Sequence, residues 1–179
     1  MSIVYVSDDG ALCATDEFGV WTINPGGTAP GLVEVVMNGP AWTTLDNSVF
    51  WDPRKTRGRG RVVPGASGTR RFRRRIHETE YPMVMVISGA VFQDGTSWGA
   101  NKNEGLRQNL AWLAENVTDP PPNGAVYRAS TLTSADGLTT LTANIQVLDF
   151  ERMGHQDEII PSAILTVVVA RGGFREPSS

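Results

Sequence analysis

Alternating apolar and polar positions run through this chain and predict short strands. Residues 3–6 and 20–23 are strand candidates, and a Gly- and Pro-rich joint separates them from a third candidate at 32–37, which is apolar on both faces. We interpret residues 1–30 as an N-terminal arm or small hairpin and residues 31–179 as the main domain. The start of the chain is therefore expected to lie outside the core.

The second half of the chain contains the longer predicted strands. Residues 83–87 and 164–170 are apolar on both faces, which is typical of strands buried between two layers. Residues 126–133 and 138–150 form a predicted hairpin. The second strand of this hairpin alternates apolar with polar residues, so we expect one buried and one solvated face.

One helix is predicted, over residues 101–117. Asn101 is the expected N-cap, and Glu104 three residues later completes a capping-box pattern. Four apolar residues share one side of this helix: Leu106, Leu110, Leu113 and Val117. The order of elements predicts a mainly β, α+β fold, in which a β-sandwich or partial barrel carries a flanking helix, a long hairpin and an extended arginine-rich loop.

Charge is distributed unevenly along the chain. The formal net charge is −3, yet residues 53–77 contain ten basic side chains and no acidic one, while the remaining residues hold six basic and 19 acidic ones. The ten are Arg54, Lys55, Arg57, Arg59, Arg61, Arg70, Arg71, Arg73, Arg74 and Arg75. Because like charges this close repel one another, a partner of opposite charge is expected.

Two kinds of partner fit the basic segment: the phosphates of a nucleic acid, or the acidic surface of a neighbouring copy of this chain. Since the rest of the chain is acidic, self-association requires no further molecule, and we prefer it. Strand alternation over residues 70–76 places three arginines on one outward face. The predicted subunit interface consists of Arg57, Arg59, Arg61, Arg70, Arg71, Arg73, Arg74 and Arg75.

Candidate catalytic chemistry is sparse in this sequence. The best acid–base cluster, at 77–80, is interpreted as a strand end whose carboxylates pair with arginines, and His155 lacks the ligand spacing of a zinc site. Cys13 is predicted to be a buried structural thiol, and a single cysteine is typical of a protein made in a reducing cytosol. We therefore predict no enzyme activity, no catalytic residue, no metal and no cofactor. No apolar run is long enough for a transmembrane helix, so no membrane partner is expected.

Two motifs give the chain a family resemblance. A Val-Pro-Gly-x-x-Gly turn at 63–68 precedes the basic strand, and the pattern Gly-Leu-x-x-Asn-Leu-x-x-Leu occupies 105–113 of the helix. With the segments at 31–39, 81–89 and 172–174 in the same order, most of the chain resembles the distal tail proteins of long-tailed bacteriophages. The similarity is strongest to the short minor tail proteins of phages that infect actinobacteria.

The resemblance implies a place in the virion, after synthesis in the host bacterial cytoplasm. Distal tail proteins form a hexameric ring at the tail tip, between the last ring of tail-tube protein and the baseplate or fibre proteins. The ring surrounds a channel for the tape-measure protein and the DNA, which passes through without specific binding. Many distal tail proteins add a C-terminal carbohydrate-binding-like domain. Because the sequence ends at Ser179 and has no room for that domain, we expect a connector role.

Two other functions fit the same features. A major tail-tube protein shares this fold and stacks into many rings. A small nucleic-acid-binding β-barrel would use residues 54–75 and would bind in a strongly salt-dependent way.

Overall fold

A curled antiparallel sheet with one helix forms the body of the protein. The computed structural model describes residues 4–14, 19–27, 32–51, 60–62, 69–71, 79–99, 101–118, 121, 124–153, 162–170 and 173–177. Within these ranges the fold is mainly β with one α-helix, and the largest sheet forms a partial barrel, as predicted.

The bounds of the elements follow in chain order. The strands are β1 (Val4–Val6), β2 (Leu12–Ala14), β3 (Val20–Ile23), β4 (Val35–Val36), β5 (Trp42–Thr44), β6 (Gly60–Val62), β7 (Thr69–Arg71), β8 (Thr79–Ile87), β9 (Arg128–Thr133), β10 (Thr140–Met153) and β11 (Ser162–Val169). The helix α1 spans Lys102–Leu113 and continues as a π-helical turn, Ala114–Thr118. Short 3-10 turns lie at Pro25–Gly27 and Ser48–Phe50.

The main sheet has seven antiparallel strands in the order β4-β3-β9-β10-β11-β8-β5. Its two outermost strands, β4 and β5, are consecutive in the chain and meet at a bridge between Asn38 and Thr43. Close to this bridge the Thr44 N–H donates to the Met37 carbonyl at 3.0 Å. The sheet therefore curls until its two edges touch, which protects both edges at this point from further pairing.

Buried polar side chains hold the place where the two edges meet. The Asn38 side-chain oxygen accepts hydrogen bonds from the Trp21 backbone N–H and the Asn47 amide, both at 3.1 Å. The Thr44 hydroxyl donates to the Asn47 side-chain oxygen at 2.7 Å. Because these buried and half-buried groups satisfy one another, the network fixes the relative position of the edge strands.

One apolar core fills the inside of the curl. Phe50 lies against Trp21, Tyr81 and Phe174, with ring centroids 5.1, 5.6 and 4.7 Å apart respectively. The largest fully buried side chains come from all seven strands of the main sheet, from α1 and from Met37 just after β4: Trp21, Trp42, Ile23, Met37, Met83, Met85, Ile87, Leu113, Leu132, Ile145, Leu165 and Val35. Aromatic packing of this kind adds to the burial energy of the sheet.

The helix begins where the sequence predicts. The Asn101 side chain accepts a hydrogen bond from the Glu104 N–H at 3.1 Å, so Asn101 is the N-cap. The reciprocal half of the capping box is absent, because the Glu104 carboxylate accepts from Arg107 and Gln108 instead. On the predicted stripe, Leu106, Leu113 and Val117 are buried and Leu110 is half-buried.

The second motif of the sequence, at 105–113, is the docking face of α1. A Cβ at Gly105 would lie 2.1 Å from the Gly89 carbonyl oxygen, so only glycine allows the helix to approach the loop after β8 this closely. Asn109 is fully buried and its amide donates to the carbonyls of Ser88 and Val91 at 2.7 and 2.9 Å. Its side-chain oxygen accepts from Trp98 Nε1 at 3.1 Å.

The first 30 residues contribute to two sheets. β1 and β2 pair as a separate hairpin, and Leu12 of that hairpin is buried and donates its N–H to the Pro40 carbonyl at 2.7 Å. β3, by contrast, lies inside the main sheet between β4 and β9, with Trp21 and Ile23 fully buried. The predicted division at residue 30 thus separates β3 from the sheet to which it belongs.

Three expectations about burial are wrong. Residues 83–87 are not apolar on two buried faces, because Val84 is 40% exposed while Met83, Met85 and Ile87 face the core. The candidate strand at 32–37 shortens to β4 and leaves Val33 and Val36 exposed, since the chain turns at Asn38 to reach β5. Cys13 is exposed on β2, a hairpin strand that is too short to be covered on both faces.

The predicted hairpin at 126–150 is present as β9 and β10, and it contains an irregularity. The register between β10 and β11 shifts between Val147 and Asp149, so Leu148 is an extra residue. Before the shift Ile145 and Val147 face the core, and after it Phe150 does. Leu148 and Asp149 are consequently both exposed.

Candidate assembly surface

Part of the predicted basic interface forms a two-stranded ladder. β6 and β7 pair antiparallel, with Arg61 opposite Arg70 and Gly60 opposite Arg71. Antiparallel pairing of these two short strands brings three of the predicted interface arginines onto adjacent backbone positions. The other five predicted interface residues lie outside the described residues: Arg57, Arg59, Arg73, Arg74 and Arg75.

This ladder is a sheet of its own. In the chain it lies between β5 and β8, which are neighbours in the main sheet, yet neither β6 nor β7 pairs with a strand of that sheet. The basic segment is therefore an excursion from the partial barrel. Three of its ten basic residues, Arg61, Arg70 and Arg71, belong to the ladder.

The partial barrel carries the opposite charge. Of the twelve acidic side chains in the described ranges, all except Glu104 are exposed: Asp8, Asp9, Glu34, Asp46, Glu80, Asp94, Glu115, Asp136, Asp149, Glu151 and Glu176. Glu104 is half-buried and forms a salt bridge of 2.8 Å with Arg107. Exposed carboxylates thus outnumber exposed basic residues in the described ranges outside the basic segment.

Several exposed carboxylates have local structural tasks. Three aspartates each accept a hydrogen bond from a hydroxyl group in the same turn: Asp9 from Ser7, Asp94 from Thr96 and Asp136 from Ser134. These bonds, with further bonds from backbone N–H groups of the same turns, lower the pKa of each carboxyl. Hydrogen bonds from Arg107 and then Gln108 likewise lower the pKa of Glu104.

Glu80 and Glu151 have no such task. Neither side chain has a hydrogen bond or an ion pair within the described ranges, although both stand on long strands of the main sheet. An exposed carboxylate of this kind can bind a basic partner.

Catalytic chemistry finds little support in the described part of the chain. No group of three or more His, Cys, Asp or Glu side chains there is arranged to hold a metal ion, and His77 and His155 lie outside the described residues. A surface cavity of about 290 Å³ lies beyond the end of α1, and the described residues of its lining include Val117, Thr118, Arg128 and Gln146 but no carboxylate or histidine. No described helix is long and apolar enough to cross a membrane.

Comparison of the chain with protein-family models and with curated proteins gives no match to either.

Proposed function

We propose that this chain is a structural protein of a bacteriophage tail tip, where six copies form a ring that joins the tail tube to baseplate or fibre proteins. The observation that carries the proposal is the separation of charge, with ten basic residues at 53–77 and a formal charge of −13 on the rest of the chain. The motif resemblance supplies the virion context, and the mainly β fold with one flanking helix agrees with it.

A closed ring of identical copies needs two different patches on every copy. Each interface in such a ring is heterologous, because one patch of a copy contacts another patch of the next. The basic ladder and the acidic partial barrel are two patches of opposite sign on one chain. Charge pairs between them set register and partner choice, while apolar burial supplies most of the affinity.

The experiment measures the mass of the assembled protein in solution. The triple substitution Arg71→Ser, Arg73→Ser and Arg75→Ser is expected to leave the monomer folded and to shift the mass distribution from rings to single copies. Lys102→Ser, Arg152→Ser and Arg175→Ser form the matched control, because these three exposed residues give the same charge change outside the basic segment. An unchanged oligomer mass after the first triple substitution contradicts the charge-pairing basis of the ring.

Copy number in the virion separates the distal ring from its nearest alternative. A tail-tube protein is present in dozens of rings, whereas a distal protein forms one ring at the tip, so quantitative mass spectrometry of purified particles distinguishes the two. Electron microscopy with antibody labelling then locates the protein on the particle. Tight binding to DNA or RNA that weakens steeply with salt, in a protein that stays a single copy, would favour the nucleic-acid-binding barrel instead.

A further inference from the structure

Three neighbouring strands of the main sheet present apolar side chains on the outside of the curl. Val84 of β8 is paired with Ile164 of β11, which is paired with Glu151 of β10, so the three residues form one row across the sheet. The next row consists of Pro82, Thr166 and Asp149. We call these two rows, with Leu148 and Glu80 beside them, the β8–β11–β10 face.

Part of this face is exposed in the described structure. Val84 is 40% exposed and Leu148 is 48% exposed. Pro82, two residues before Val84 on β8, is exposed as well. Half-buried Ile164 of β11 is directly paired with Val84, so these two apolar side chains adjoin, and Leu148 lies across β11 on β10. Contiguous apolar surface rimmed by polar residues is typical of a site of protein contact.

The charge around the apolar rows is negative. Glu80, Asp149 and Glu151 are all exposed on this face, and Glu80 and Glu151 have no partner within the described ranges. The extra residue at Leu148 places an apolar and an acidic side chain next to each other on the outside. An apolar strip bordered by carboxylates is suited to bind a basic strand pair.

The β6–β7 ladder of a second copy has this character. Building on the proposed ring, we infer that the β8–β11–β10 face receives the β6–β7 ladder of the next copy, whose directly opposed pair Arg61 and Arg70 supplies the positive charge. Arginine suits this contact because its guanidinium binds carboxylates in a bidentate manner and its aliphatic stem packs on apolar side chains. One copy thus contributes a basic patch and the next copy an acidic, apolar one, as a closed ring requires.

The first test reverses charge on the receiving face. Glu80→Lys with Glu151→Lys is expected to weaken ring assembly about tenfold or more, because two attractive contacts become repulsive. The matched control is Asp8→Lys with Glu115→Lys, which alters two exposed carboxylates elsewhere by the same charge. Adding Arg61→Glu and Arg70→Glu to the first variant is expected to restore assembly in part, since the signs are then exchanged.

A disulfide test measures directly whether the two surfaces are close to each other. In a Cys13→Ser background, molecules with Val84→Cys are mixed with molecules that carry Arg61→Cys or Arg70→Cys, and at least one mixture is expected to form a cross-linked dimer on oxidation. Leu138→Cys in place of Val84→Cys is the control, because Leu138 is more exposed and lies on the β9–β10 turn.

The outcomes separate this inference from the proposed function. Rings that form as before in the Glu80→Lys, Glu151→Lys variant, together with no cross-link to Val84→Cys, overturn the receiving face and leave the ring proposal standing. Unaltered protein that is a single copy in every condition overturns both.

Discussion

The helix-covered side of the partial barrel and the β8–β11–β10 face use their residues in opposite ways. Under α1, Asn109 is fully buried and makes three hydrogen bonds, and Gly105 lets the helix touch the Gly89 backbone. On the β8–β11–β10 face, Val84 and Leu148 stay largely exposed and Glu151 has no partner in the described part of the chain.

The difference separates an internal contact from an external one. A contact completed within one chain satisfies its polar groups and excludes water, as beneath α1. A face that exposes apolar side chains beside unpaired carboxylates gains by meeting another surface. Substitutions under α1 should therefore change the free energy of unfolding, whereas substitutions on the β8–β11–β10 face should change association.

The largest effect is expected at Asn109. Asn109→Leu removes the donors to the Ser88 and Val91 carbonyls and the acceptor of Trp98 Nε1, all in a buried site. Three lost partners at roughly 1 kcal/mol each lower the free energy of unfolding by about 3 kcal/mol, measured by urea denaturation. Gln108→Leu, at the exposed neighbouring position, is the control and should change it by less than about 0.5 kcal/mol. Equal losses for the two variants would contradict the internal contact.

A smaller loss is expected at Gly105. The Cβ of Gly105→Ala would meet the Gly89 carbonyl oxygen at 2.1 Å and the Trp98 ring at 2.8 Å, so the helix must move. Overpacking of this kind costs about 3 kcal/mol, and the better helix propensity of alanine offsets about 1 kcal/mol of it. Gly99→Ala is the control, because its φ of +81° is strained but nothing lies within 4 Å of the added Cβ. The midpoint of thermal unfolding should be lower for Gly105→Ala than for Gly99→Ala. The reverse order would show that α1 does not pack this closely.

The N-cap of α1 has a still smaller role. Asn101→Ala leaves the Glu104 N–H without its acceptor and should cost about 1 kcal/mol of unfolding free energy. Asn101→Asp retains a cap oxygen and should lower the free energy of unfolding much less. Chemical denaturation of both variants measures the difference. A loss as large for aspartate as for alanine would mean that Asn101 acts through something other than its cap.

Local patterns in the sequence predict part of this fold well. The helix is fixed by the stripe of Leu106 and Leu113 and by the cap at Asn101, which are all within one segment. The β9–β10 hairpin is likewise predictable, because Asp136-Gly137 is a strong turn signal between two alternating strands. The place of β4 and β5 at the two edges of one seven-stranded sheet has no local signature, although the two strands are consecutive in the chain.

The candidate surface is predictable only on its basic side. Ten basic residues in one segment are visible in the sequence, whereas the receiving face depends on the pairing of β8, β11 and β10, which no single segment encodes. A strand that is apolar on both faces, such as the one containing Val84, has the same sequence pattern whether its second face is covered by another layer of the same chain or by a second copy. The change of alternation from Val147 to Phe150 is the one local signal of the exposed Leu148.

The smallest effect on unfolding, and the sharpest contrast with α1, is expected at Val84. Val84→Thr keeps the β-branched shape and replaces one exposed methyl group by a hydroxyl, so the free energy of unfolding should change by less than about 0.5 kcal/mol. Val167→Thr is the control, because the same change at a fully buried position of β11 places a hydroxyl in the core and should cost about 1–3 kcal/mol. Association is measured as oligomer mass against concentration. It should weaken for Val84→Thr, whereas for Val167→Thr it should fall only as far as the lower free energy of unfolding reduces the amount of folded protein. A Val84→Thr protein that loses stability like Val167→Thr would show that β8 is covered within its own chain, and the contrast between the two sides of the barrel would disappear.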